Sequence, residues 1–195
     1  PMLVNSYSEM DGSSPDGINP YRGVNPATGL VVYYQLPELK NSESVLIEIK
    51  DAQGNLVRSF SSLKDTLSNP PSTDPLLTKS KGLNRFVWNL RYPTISSVPG
   101  VYIESSFRGH KASPGKYSIT LKMVDQTMNA NFEILANPLY PTDAKTYLEY
   151  HTVMSSMEAE VNKMHEMIIS LDGKRKQLDQ LLATFPADEK HSALK

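Results

Sequence analysis

Lys81–Pro93 reads KGLNRFVWNLRYP and holds the only tryptophan of the chain, flanked by two arginines and two asparagines. Phe86, Trp88, Leu90 and Tyr92 recur at period two, with Arg85, Val87, Asn89 and Arg91 between them. Successive side chains of a strand point to opposite faces, so this spacing predicts a strand with an aromatic-rich inner row. Pro93 removes a backbone donor and ends the ladder. The tryptophan is therefore expected in a core, with the arginines on the other face.

Outward from that stretch the same period returns. GLVVYYQLP (29–37) is apolar on both faces, as in a well-covered strand. SVLIEIKDAQGNLVRSFS (44–61) sets Val45, Ile47 and Ile49 on one face, turns at Asp51–Gly54, and returns with Leu56, Arg58 and Phe60. Gly54 sits where a hairpin turn needs positive φ. Residues 62–80 are a long proline-bearing loop. SPGKYSITLKMV (113–124) alternates Tyr117, Ile119, Leu121 and Met123 with polar neighbours, and ANFEIL (130–135) pairs back across a turn near Asp125–Asn129. Six or seven short strands with no helix between them predict an immunoglobulin-like antiparallel β-sandwich over residues 23–138. Residues 1–22 are turn-rich and read as a linker; their DGSSPDG lacks the ligand alternation of a calcium loop.

After ANPLYPTD (136–143) the period changes. Tyr147, Tyr150, Met154, Met157, Val161, Met164, Ile168 and Leu171 recur at spacings of three and four, an apolar helical stripe with Thr142 or Asp143 as N-cap. Asp172-Gly173 is expected to break this helix, and Leu178, Leu181, Leu182 and Phe185 to start a second. Residues 139–195 are thus expected to form a helical hairpin, another helix starting at Pro186. The methionines suit a helix–helix or helix–sheet core, an adaptable docking surface or a coiled-coil dimer; the first is preferred.

The totals narrow the function. The chain has 195 residues, 39% hydrophobic and 21% charged, with a formal net charge of −1. That balance lacks the basic field that nucleic acid or an anionic membrane would require. No apolar run approaches the roughly 20 residues of a membrane span. With no cysteine, thiolate catalysis and thiolate zinc sites are excluded. No nucleophile elbow, phosphate loop or dinucleotide fingerprint occurs. Neither metal, cofactor nor catalytic residue is expected. Of four histidines, His151 and His165 fall off the apolar stripe and are expected at the surface. His110, in the loop FRGHKASPG, is the one candidate for a ligand role. Tyr102, Phe107 and Arg108 join it as candidate ligand-binding residues, because sugar-binding modules stack sugars on loop aromatics. The expected core comprises Phe86, Trp88, Leu90, Tyr92, Tyr117, Ile119 and Leu121.

NPATGLVVYYQLP, LIEIKDAQGNLVRSFSS, KGLNRFVWNLRYP and SPGKYSITL, in that order, resemble the C-terminal region of large bacterial sortilin-like proteins. Those proteins carry BNR-repeat β-propellers and are often labelled glycosyl hydrolases. A similar G-x-N-x-x-x-W to P-G-x-Y pattern occurs in the Ig-like domain of flagellar hook-capping proteins. The resemblance covers roughly residues 18–185 and implies an exported bacterial protein, periplasmic, surface-bound or secreted. It implies a propeller before Pro1 as partner, more helix after Lys195, and a non-catalytic accessory role. A carbohydrate-binding module is the alternative, and a glycoside hydrolase the least favoured.

Overall fold

The computed structural model describes residues 28–64, 74–102 and 106–184. Six strands precede one helix: β1 (Leu30–Leu36), β2 (Leu46–Asp51), β3 (Leu56–Ser61), β4 (Gly82–Trp88), β5 (Gly115–Lys122), β6 (Thr127–Ile134) and α1 (Ala144–Thr184). All pairings are antiparallel. β1 and β4 form a two-stranded sheet, and the other four run in the order β3-β2-β5-β6. The chain is thus mainly β with one C-terminal helix. The expected linker 1–22 and the start at Pro186 fall outside the described residues.

Both sheets contribute to one core. Tyr34, Leu36, Phe86 and Trp88 from the small sheet meet Ile47, Ile49, Val57, Phe60, Tyr117, Ile119 and Leu121 from the large one. Trp88 is fully buried. Its ring meets Tyr117 and Phe132 edge-on at 6.3 and 6.2 Å, and its indole Nε1–H donates to the Arg91 carbonyl at 3.0 Å. The polar end of this large apolar group is thereby satisfied inside the core. The β2–β3 hairpin turns as its sequence demands. Gly54 has φ +84°, and Asp51 Oδ1 accepts the Gln53 and Asn55 amides at 3.0 and 2.8 Å. A register shift between Ile49 and Lys50 lets Val57 as well as Arg58 and Phe60 turn inward, leaving Leu56 exposed. β6 starts at Thr127, earlier than the expected turn, because the Met123 amide closes onto the Gln126 carbonyl at 2.8 Å.

Two expectations need correction. The inner row of the tryptophan strand stops at Trp88. Leu90 adopts φ +58°, a left-handed conformation that costs a side-chain-bearing residue about 1–2 kcal/mol. Hydrogen bonds hold it there: Asn89 Oδ1 accepts the Arg91 amide at 3.2 Å, and the Leu90 carbonyl accepts the Ala112 amide at 2.7 Å. Leu90 and Tyr92 consequently pack at the rim of the core, half-buried, while Phe86, Trp88, Tyr117, Ile119 and Leu121 lie within it. Beyond the turn the chain pairs with 110–112, through the Tyr92 amide to the His110 carbonyl at 2.9 Å and an Arg91–Lys111 bridge.

The second correction concerns the helical hairpin. α1 is one uninterrupted helix of 41 residues that passes through Gly173. An interior glycine costs about 1 kcal/mol relative to alanine, too little by itself to end a helix. Asp172 spans the position with ion pairs to Arg175 at 2.9 Å and Lys176 at 2.8 Å, three and four residues on. Asp143 is the N-cap, its Oδ1 accepting the Thr146 amide at 2.7 Å.

Candidate functional site

His151, Ser155, Glu158, Asn162 and His165 follow one another at spacings of four, three, four and three. At 3.6 residues per turn they form one polar stripe. The stripe lies against the irregular stretches 92–102 and 106–113 between β4 and β5. Those stretches offer backbone donors and acceptors that no strand uses, so a polar helix face complements them better than an apolar one.

The central contact is a chain of three side chains. Glu158 accepts the His110 amide through Oε1 at 2.6 Å and faces His110 Nδ1 through Oε2 at 2.8 Å. His110 Nε2 meets His151 Nδ1 at 2.8 Å, so one hydrogen lies between these two nitrogens. With a neutral His110 ring, Nδ1–H donates to the carboxylate and Nε2 accepts from His151; with a protonated ring, Nε2–H donates to His151 instead. Tyr92 stacks on His110 with ring centres 4.2 Å apart and planes 10° from parallel, and Tyr150 meets the same ring edge-on at 5.9 Å. Ser155 Oγ approaches His151 Nδ1 at 3.4 Å. The His110 side chain is 1% exposed.

Two further contacts extend the dock along the helix. Asn162 Oδ1 accepts both the amide (2.6 Å) and the hydroxyl (2.9 Å) of Ser96. His165 Nδ1 donates to the Ser96 carbonyl at 2.5 Å while its ring meets Phe107 edge-on at 5.9 Å. Close approach of the backbone is secured at Gly109, where a Cβ would stand 2.3 Å from the Pro93 carbonyl oxygen and 2.6 Å from that of Tyr92. Behind Tyr92, Arg58 is buried. It donates through Nη1 to the Tyr92 carbonyl at 2.5 Å and pairs with Asp74.

Burial dominates the electrostatics. It lowers the His151 pKa below the ordinary histidine value, assisted by the charge of His110 and opposed by Asp51 and Glu158. It raises the Tyr92 phenol, with Asp51 and Glu158 acting in the same direction. Tyr117 is raised for the same reason, by burial first and then by Tyr92 and Asp51. An open cleft of about 840 Å³ adjoins this region, lined in part by Leu30, Asp51, Leu90, Tyr117 and Phe132.

The chemistry available here is limited. A general base needs a lone pair within reach of a substrate proton. Both ring nitrogens of His110 are engaged and its ring is covered by Tyr92, so His110 itself offers no free lone pair and links the helix to the loop. Among the described residues no group of three histidines or carboxylates converges as metal ligands. Nor, among them, is any helix long and apolar enough to cross a membrane.

Of the candidate residues, His110 is at the centre of this array and Phe107 turns its ring edge to His165. Tyr102 is 85% exposed and Arg108 is also exposed, outside the contacts that hold the helix. The expected surface position of His151 and His165 is corrected, since both are half-buried and bonded to the stretches 92–102 and 106–113. Glu158, Asn162 and Ser96 were not singled out from sequence. The signal that finds them is the polar 4-3-4-3 spacing itself, read as a face in its own right. Scanned against protein-family models, curated proteins and solved structures, the chain matches none.

Proposed function

We propose that this chain is a non-catalytic accessory module, an immunoglobulin-like β-sandwich that holds a long helix out for protein–protein contact. One observation carries the reading: α1 is docked by its polar face and turns large apolar side chains outward. Leu148, Val153, Met157, Met167, Leu171, Leu178 and Leu181 are each more than half exposed. Apolar surface of that extent is a mark of interaction sites. The strand motifs that resemble sortilin-like propeller proteins support placing the module in a larger exported bacterial protein, beside its β-propeller. The buried His110, bonded through both ring nitrogens, supports a structural role for the Glu158–His110–His151 cluster.

The purified chain is expected to hydrolyse no glycoside and to bind no polysaccharide. Turnover of aryl glycosides would overturn the reading. So would polysaccharide binding that disappears on Tyr102→Ala or Phe107→Ala, which would make the chain a carbohydrate-binding module instead.

A further inference from the structure

The outward face of α1 is organised more strictly than an exposed apolar patch requires. In heptad notation Tyr150, Met157, Met164, Leu171 and Leu178 occupy position a, and Val153, Glu160, Met167, Lys174 and Leu181 position d. The eight apolar members are between 41% and 70% exposed. The register is unbroken from 150 to 181, about 47 Å of helix at 1.5 Å per residue. More than four heptads in one register is the pattern of a coiled-coil seam. The residues that bond the helix to the β-rich part sit at b (His151, Glu158, His165) and f (Asn162), with half-buried Ser155 at f and Met154 and Val161 at e. The β-rich part therefore leaves the seam clear from Val153 onward, Tyr150 alone of its members touching the His110 ring edge-on.

The two charged d positions select the occupant. Glu160 and Lys174 lie seven residues either side of Met167. In a parallel pair each would face its own copy, placing two carboxylates and then two ammonium groups in the seam. In an antiparallel pair crossing near Met167, each Glu160 comes beside Lys174 of the second copy. Like charges facing across a seam are repulsive and opposite charges fix register, so the pattern favours one orientation and disfavours the other. That orientation also sets the two β-rich units at opposite ends of the rod.

We infer that the a/d seam of α1 binds the same seam of a second copy of this chain, antiparallel, with Glu160 of each beside Lys174 of the other. The inference rests on reading the chain as an interaction module and names its partner.

The test uses the full 195-residue chain. Sedimentation equilibrium gives twice the 21.7 kDa chain mass. Glu160→Lys alone and Lys174→Glu alone each weaken the dimer about tenfold or more, and the double exchange restores it. Because the chain lacks cysteine, Leu178→Cys is a clean reporter of orientation. It forms no intermolecular disulfide in the antiparallel pair and does so readily in a parallel one. The seam is exposed, so helicity and Trp88 emission stay unchanged in every variant. A monomer at all concentrations, indifference to the single charge reversals, or rapid Leu178→Cys cross-linking overturns the inference. A monomer without glycan binding or turnover sinks the dimer alone, whereas glycoside turnover by a dimer sinks only the accessory function.

Discussion

Glu158→Ala removes the one side chain that grips both the backbone and the ring of His110. The carboxylate accepts an amide at 2.6 Å and faces Nδ1 at 2.8 Å, and the His110 residue is only 3% exposed. Hydrogen bonds to a charged group contribute about 1.5–3 kcal/mol each, and the variant strands both donors out of water. The dock between α1 and the loop around His110 should therefore weaken by about 3–5 kcal/mol, which raises its local opening constant by about 10²- to several 10³-fold. The assay is amide hydrogen exchange at His110, read beside Trp88 fluorescence. Trp88 belongs to the core shared by the sheets, so its emission should stay at the wild-type position while the His110 amide exchanges faster. Glu158→Gln, which keeps one acceptor, should fall between. Unchanged exchange at His110 would refute the idea that this carboxylate holds the helix. Concerted loss of the Trp88 signal would refute the separation of dock from core.

Further expectations concern the core, the loop and pH. Trp88→Ala removes a fully buried aromatic and should cost about 3–5 kcal/mol in chemical denaturation, with a wild-type midpoint counting against the core assignment. Gly109→Ala drives a Cβ into the Tyr92 and Pro93 carbonyls and should destabilise by about 1–3 kcal/mol, seen as a lowered melting temperature. His151 has a folded-state pKa below the ordinary histidine value of about 6.5, so the unfolded or undocked chain takes up its proton first as pH falls. Its contribution is fully present above about pH 6.5 and is lost as pH drops through the lower folded value. The groups facing it are His110, Ser155 and Tyr92, with the charges of Asp51 and Glu158 nearby. Protection of the His110 amide, taken relative to its base-catalysed intrinsic exchange rate, should fall as pH drops below about 6.5, and His151→Gln should flatten that profile.

Strand positions were legible where period-two alternation and turn chemistry agreed, as around Gly54 and along Tyr117–Leu121. The tryptophan row was read two residues too far. Alternation in sequence does not register a turn fixed by partners eighteen or more residues away, such as Ala112 and Gly109. The apolar stripe of α1 was visible, but its edges were not. Tyr147, Met154 and Val161 are half-buried, while Met157, Met164 and Leu171 face solvent and Tyr150 touches the His110 ring at the boundary. A helix with two usable faces defeats a reading that follows hydrophobicity alone, because here the polar face makes the intramolecular contact. Gly173 misled for a related reason: its propensity is local, and the ion pairs of Asp172 across it are visible only once the helix exists.

The account is tested most directly by the chain's own methionines. Met157 and Met167 are 58% exposed on the seam and Met164 is 47% exposed, whereas Met128 is 49% exposed on β6 and Met154 is half-buried toward the dock. Peroxide oxidation followed by mass spectrometry at rising protein concentration should show Met157, Met164 and Met167 becoming protected. Met128 should stay reactive and Met154 slow throughout. Seam methionines that oxidise at one rate at every concentration, or a Met154 as reactive as Met157 in dilute solution, would contradict it.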